Sequence, residues 1–249
     1  MGKRRKKRRG RGILVLLLVL AAVLIIWRPA AEPDARLKRY ASLHGISASE
    51  YPQSLVRLYE NNRETEDFVF EYPIRRDEET DMNLSGIDTS KVPLLIQWDQ
   101  RWGYRNYGDD MMGLTGCGPT CLSMVYIYLT GDTSFNPYEA ARFSERNGFY
   151  CRGEGTRWAM MTEGGRLLGM DVTEIPKDRQ RIYDNLDVGN PIIASVVQGH
   201  FTSSGHFIVL TGRSGDEIYI NDPNSIRNSE KSWNYDEIES EFANLWVFR

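Results

Sequence analysis

Gly116-Cys117-Gly118-Pro119-Thr120-Cys121 runs directly into Leu122-Ser123-Met124-Val125-Tyr126-Ile127-Tyr128-Leu129-Thr130-Gly131. A cysteine between two glycines, followed by a proline and an apolar run, reads as a thiol on a tight turn at the mouth of a helix. The glycines are expected to let the backbone take sharp or left-handed angles. Pro119 suits a first helical turn, where its missing N–H costs no hydrogen bond. Leu122, Val125 and Leu129 recur at helical spacing and predict a buried face. A thiol at that position feels the positive end of the helix dipole, which favours the thiolate, the nucleophilic form. A buried structural cysteine beside a glycine turn would share this local pattern, so the rest of the chain has to decide.

At 249 residues the chain has room for one good-sized domain and appendages. Its net charge of −3 conceals an asymmetry: residues 1–12 carry eight of the 31 basic groups and no acid. The remainder holds 23 basic against 34 acidic groups, a formal −11, which argues against a nucleic-acid partner. Ile13 to Trp27 is an unbroken apolar run of fifteen residues. As a helix it spans about 22 Å, short of the roughly 30 Å hydrocarbon core, and snorkelling by Arg11 and Arg28 with local thinning covers the difference. Ala30 and Ala31, directly after Arg28 and Pro29, make a poor signal-peptidase site, so an uncleaved transmembrane signal anchor is expected. The positive-inside rule then keeps residues 1–12 as a basic cytoplasmic tail and puts everything after Trp27 outside. The expected location is the cell membrane, single-pass, with the C-terminal domain extracytoplasmic.

The organisation that follows is a tail (1–12), an anchor (13–27), a stalk with a short helical region (28–91) and a main domain (92–249). Arg28 to Ile46 is charged and contains Pro and Ala, as a stalk would be. Ser49 and Pro52 open a short helix with Leu55, Leu58 and Tyr59 on one face, stopped at Asn61-Asn62. Thr65 to Tyr72 is a second, closed by Pro73, and residues 49–72 are expected to serve packing. Val92 to Asp99 reads as a strand or extended segment. Gln100 to Leu114 is a loop whose Trp102, Tyr104 and Tyr107 either line a cleft or pack the core's edge. Helices are expected from Asn136-Pro137 to Asn147-Gly148, over Trp158 to Leu168 with Gly169 as its cap, and over Asp178 to Leu186. From Pro191 the pattern changes to short β-branched runs, at 191–197, 206–211, 217–221 and 245–248. Helices first and consecutive strands later make the class α+β, with the cysteine helix packed on an antiparallel sheet.

A thiol-dependent site needs a base, a group that orients the base, and donors for a developing oxyanion. Of the three histidines, His44 lies in the expected stalk and His200 in a loose Gln198-Gly199-His200 loop. His206 opens the apolar strand after Gly205, so it can be fixed at a cleft edge, and it is the preferred base. Asn221-Asp222-Pro223 ends the next strand of a hairpin, where Asp222 can reach His206 and fix the imidazole's tautomer. An Asp-Pro turn also ends strands for purely structural reasons. Cys117 and Cys121 sit one helical turn apart, but no Cys/His pair of ligand spacing follows, so neither a metal nor a cofactor is expected. Three cysteines leave at least one thiol free or paired outside the chain, and Cys151 is either free or bonded to Cys121.

Taken together, Gln97, the Gly-Cys-Gly-Pro-Thr-Cys segment with its Leu-Ser-Met-Val helix, Gly205-His206-Phe-Ile-Val-Leu-Thr-Gly212 and Asn221-Asp222-Pro223 resemble the C39-like family of papain-fold cysteine peptidases. The resemblance covers roughly residues 92–249 and points to a bacterial, membrane-anchored member without an ABC transporter. It implies Cys117 as nucleophile, with Cys121 on the packed side of the helix, His206 as base, Asp222 as its orienter and Gln97 as side-chain oxyanion donor beside the Cys117 N–H. It departs from the exporter-fused relatives in the twenty residues between Gln97 and Cys117, which makes Gln100 a rival, and their double-glycine specificity is not carried over. The expected activity is hydrolysis of a peptide or protein substrate through an acyl-enzyme intermediate. An acyl transferase or cell-wall amide hydrolase would use the same site, and an idle peptide-binding module would keep the same residues.

Overall fold

A computed structural model describes residues 34–249. The basic tail and the expected anchor at 13–27 therefore lie outside the described residues. Among the described residues no helix is long and apolar enough to cross a membrane.

The organising element is a six-stranded, wholly antiparallel sheet. Its strands are β1 (Val172–Ile175), β2 (Ile192–Val196), β3 (His206–Ser214), β4 (Glu217–Asn221), β5 (Ser232–Asn234) and β6 (Phe242–Phe248). They lie in the order β1-β6-β2-β3-β4-β5, so the C-terminal strand inserts between β1 and β2 instead of closing an edge. Every β2 side chain is buried, which fits a strand covered on both faces. On one face Ile193, Phe207, Val209 and Trp246 pack against Leu122 and Val125 of the cysteine helix. On the other, Ile192, Ala194, Ile208 and Leu210 meet Ile182 and Leu186 of the helix Arg179–Asp187. The class is thus α+β with a helix on an antiparallel sheet, as expected from the chain order of the elements.

Three expectations need correction. The stretch read as a stalk contains a helix, α1 (Ala35–His44), with Leu37 and Ala41 buried four residues apart on one face. It is capped by Asp34 at one end and by Gly45 at φ 69° at the other. Together with α2 (Gln53–Asn61) and α3 (Glu66–Phe70) it builds a separate apolar cluster around Leu37, Leu55, Tyr59 and Phe68. Pro73 does not close that region: it occupies the first turn of a further one-turn helix, Tyr72–Arg75. The loop from Gln100 to Leu114 resolves into a two-residue hairpin (Asn106–Tyr107 with Asp110–Met111) and a helical turn (Met112–Thr115). Its Trp102 and Tyr107 are fully buried, and Tyr104 stacks on Phe68 at 4.5 Å, so the aromatics pack the core's edge and join the N-terminal helices to the domain.

Candidate active site

Helix α4 (Cys117–Thr130) begins at Cys117, with Gly116 as its N-cap. The first-turn N–H groups of a helix have no intrahelical acceptor, so the thiol sits among free donors at the positive end of the dipole. The two glycines are needed for a different reason than expected. Gly116 has φ −84° and Gly118 is helical, and neither is left-handed. A Cβ at Gly116 would lie 2.5 Å from the Met112 carbonyl, and one at Gly118 would lie 2.6 Å from Thr156 Oγ1. They are there for close approach. The second contact seats the hairpin of Tyr150–Cys151 and Gly155–Thr156 on the start of the helix. Thr156 Oγ1 is tied in turn to the Tyr107 hydroxyl at 2.8 Å.

His206 stands at the first position of β3, paired with Val196 across the sheet. Asp222 follows the last residue of β4. Because Asn221 pairs with Val209, Asp222 is a diagonal neighbour of His206 on adjacent antiparallel strands. The His206 Nε2–H donates to Asp222 Oδ1 at 2.8 Å, with both side chains almost wholly buried. Asp222 is gripped on every side: the Asn224 N–H donates to Oδ1 and Asn228 Nδ2 to Oδ2, each at 2.8 Å. With Nε2 committed to the carboxylate, Nδ1 is the ring atom left for the thiol, and Cys117 and His206 line the same cleft.

The electrostatics follow from that packing. Burial by itself raises the Cys117 pKa, but the hydrogen bond and positive charge of His206, with the backbone N–H groups of Phe207 and Gly118, outweigh it and hold the thiol below its ordinary value. Burial likewise disfavours a charged His206, yet Asp222 and the Cys117 thiolate together raise its pKa. Both shifts favour a thiolate–imidazolium pair. Cys121 is wholly buried one turn further on, and burial with the neighbouring Cys117 pushes its pKa well up, so it stays a thiol. All three cysteines are free, which answers the open question of Cys151: its Sγ lies 3.5 Å from Glu154 Oε2.

The two candidate glutamines separate cleanly. Gln100 spends its amide on Asp67, Glu71 and Arg75 in the N-terminal helices. Gln97 is buried between the two halves of the site. Its backbone N–H donates to the carbonyl of Pro223, next to Asp222, at 2.8 Å. Its Nε2 donates to the Gly113 carbonyl, four residues before Cys117, at 3.0 Å. Two carbonyl oxygens cannot hydrogen-bond each other, so this contact fixes which way the amide points. The strand expected over 92–99 does not form: 92–96 carry no regular structure and Gln97-Trp98 sit in a turn closed by the Asp99 N–H on the Ile96 carbonyl.

Cys117 and His206 open into a cleft of about 440 Å³. Leu114 and Thr115 line one side, Gly153 to Thr156 with Trp158 the other, and Ser204 and Gly205 the rim next to His206. Trp158 is half exposed and rests edge-on against Trp246 at 5.7 Å. His200, the less favoured histidine, lies outside this cleft in a neighbouring groove, bonded to Glu241. His44 ends α1 and stacks on Tyr40. Sequence reading named Cys117, His206, Asp222 and Gln97 as candidates and did not name Asn224, Asn228, the Gly153 to Thr156 hairpin or Trp158, which lie beside Asp222 or line the cleft. Asparagines in a polar turn and a glycine-rich hairpin carry no signal until the fold brings them to the carboxylate and the cleft. No group of His, Cys, Asp and Glu among the described residues is arranged to hold a metal ion.

A helix-borne thiol packed against a sheet-borne imidazole and carboxylate is the arrangement of a cysteine hydrolase. The profile of the family described as Peptidase_C39 like matches residues 89–248, and the chain belongs to that family of cysteine peptidases. Among solved structures it is similar to the peptidase domain of Streptococcus ComA, a bi-functional ABC transporter involved in a quorum sensing pathway, at 26% identity. That likeness covers 54% of this chain and 90% of the other, with a TM-score of 0.41. It is also similar to a putative C39-like peptidase from Bacillus anthracis, at 14% identity over 70% of this chain and 98% of that one, TM-score 0.44. A double glycine motif protease from an AMS/PCAT transporter, solved in complex with the leader peptide, is 19% identical over 67% of this chain and 96% of its own, TM-score 0.43. No curated protein matches the chain.

Proposed function

We propose that this chain is a membrane-anchored, extracytoplasmic cysteine peptidase in which Cys117, His206 and Asp222 are the catalytic set and Gln97 assists. The observation that carries the reading is that Cys117 and His206 line one cleft while His206 is bonded behind it to the buried Asp222 at 2.8 Å. The Cys117 thiolate attacks the scissile carbonyl, and the Cys117 N–H with the second Nε2 hydrogen of Gln97 stabilises the oxyanion. His206 passes its proton to the leaving amine, giving an acyl-enzyme. Water activated by the now neutral His206 then hydrolyses the thioester and regenerates the pair. Asp222 holds the imidazole in place and stabilises its charged form throughout.

The substrate class is a peptide or protein segment, and no nucleic acid takes part. The membrane part rests on the basic run at 3–11 and the apolar run at 13–27. Residues 92–249 form the peptidase domain, and 34–91 a helical region in front of it. A thiol-directed covalent probe should label Cys117 in preference to Cys121 and Cys151, and His206→Ala should suppress that labelling. Equal labelling of all three, or none, would sink the nucleophile assignment. A protease added to intact cells should digest the domain beyond Trp27; full protection would contradict the topology.

A further inference from the structure

The turn that follows Asp222 is held from a part of the chain that lies outside the family match at 89–248. Residues 224–229 loop back under Asp222 and end in the one-turn helix Ile226–Ser229. Within the turn, the Asn224 N–H and Asn228 Nδ2 cover the two carboxylate oxygens, and Ser229 Oγ accepts the Asp222 N–H at 2.9 Å. From outside, the carboxylate of Glu64 receives the Ser225 hydroxyl at 2.6 Å and the N–H groups of Ile226 and Arg227 at 2.9 and 3.1 Å. Arg227 Nε adds a further donor at 3.2 Å. Asn62 donates to the Asn224 carbonyl at 2.6 Å and accepts the Glu64 N–H, which fixes both residues relative to each other. Trp98 Nε1, next to Gln97, shares the Asn224 carbonyl at 3.1 Å.

We infer that Glu64 is a positioning residue of the active site. By capping the 224–229 turn it sets Asn224 and Asn228 on Asp222, and through Asp222 it sets the orientation and charge of His206. The chain of contacts is Glu64, Ser225 and the N–H groups of 226 and 227, then Asn228, then Asp222, then His206. Each link is a hydrogen bond, and the inner ones are buried, where losing one donor is felt most. The charged groups about the turn are Glu64, Arg227 and Lys231 outside, Asp222 and His206 inside, and His200 across the groove. The inference rests on the proposed catalytic set but adds that the N-terminal helices are a working part of it.

The test uses the full chain, whose three histidines allow His206 to be followed by NMR after histidine labelling, with His206→Ala for assignment. Asp222 holds the His206 pKa up, so loosening Asp222 lowers it. Glu64→Ala should move the His206 titration down by about half a pH unit and slow alkylation of Cys117 by iodoacetamide at neutral pH about threefold. Glu64→Gln keeps an acceptor for the turn without the charge and should recover most of both. Glu66→Ala removes an equal charge two residues away, whose partners Arg36 and Tyr59 lie inside the N-terminal helices, and should change neither. An unchanged His206 titration in a folded Glu64→Ala protein overturns the inference. So does Glu66→Ala with the same shift, which would indicate charge or general loosening. So, too, does Glu64→Gln behaving like the alanine variant. Failure of the wild-type thiol to react at all would overturn the catalytic reading itself and is a different result.

Discussion

Among the described residues two histidines six apart in sequence, His200 and His206, each pair with a carboxylate, and the two pairs behave as different objects. His206 and Asp222 have side chains only 7% and 1% exposed, and His206 shares its cleft with the Cys117 thiol. His200 donates from Nδ1 to Glu241, which is as buried as His206, but the His200 side chain itself is 51% exposed and stands edge-on to Trp233. In the first pair the low dielectric makes each charge depend on its partner. In the second, water screens the imidazole and the carboxylate's work is structural: Glu241 also accepts the His200 N–H at 2.9 Å and so closes the loop. A histidine beside a carboxylate is therefore no mark of catalysis. A second reactive group in the same cleft and exclusion of solvent are what distinguish the His206 pair.

The contrast breaks most visibly at the thiol. Cys117→Ala should abolish peptide hydrolysis and probe labelling, whereas Cys121→Ala, a buried-volume change, should leave labelling intact. Asp222→Asn keeps the shape but removes the charge that stabilises the imidazolium, and turnover should fall about 10²–10³-fold. The matching Glu241→Gln should cost less than about threefold, since the His200 pair does no chemistry. Equal losses would erase the distinction. Gly118→Ala should cost about 1–3 kcal/mol, read as a fall in Tm, because its Cβ would push the Thr156 hairpin off the helix. Cleft-dependent turnover should fall with it.

The pH response sharpens the same comparison. The Cys117 pKa is lowered, so alkylation should reach its full rate at a lower pH than for an ordinary thiol. The His206 pKa is raised above 6.5, so its contribution to stability is complete below 6.5 and fades as pH rises through the folded-state value. His206→Ala should accordingly lower Tm more at about pH 6 than above that value. Equal losses at both would contradict the imidazolium. The smallest effect belongs to His200→Ala, which should change Cys117 alkylation by less than about twofold.

Much of the fold was legible because its signals are local. The apolar run after Cys117 gave the helix, and Ile192 to Val196, His206 to Leu210 and Glu217 to Asn221 gave strands through β-branched content alone. β1 and β5 were not legible: Val172–Ile175 buries only its two end residues and shows no alternation, and Ser232–Asn234 has a single apolar side chain. α1 was hidden by its charge, since only Leu37 and Ala41 of its ten residues face inward. The glycines at 116 and 118 were located correctly but explained by backbone freedom, when contact distance governs them.

Sequence by itself determined the chemistry available: one thiol at a helix mouth, one histidine at a strand start, one Asp-Pro turn, and their order along the chain. Residue type and local spacing are enough for that, because helix ends and strand starts are properties of short segments. Tertiary structure alone decided which groups meet. It tied Gln97 to the carbonyls of Gly113 and Pro223 and Gln100 to the N-terminal helices, left Cys151 free, and brought Glu64 and Asn62 from those helices onto the turn beneath Asp222. Those outcomes depend on burial and on pairings across many residues, and no window of sequence contains both partners.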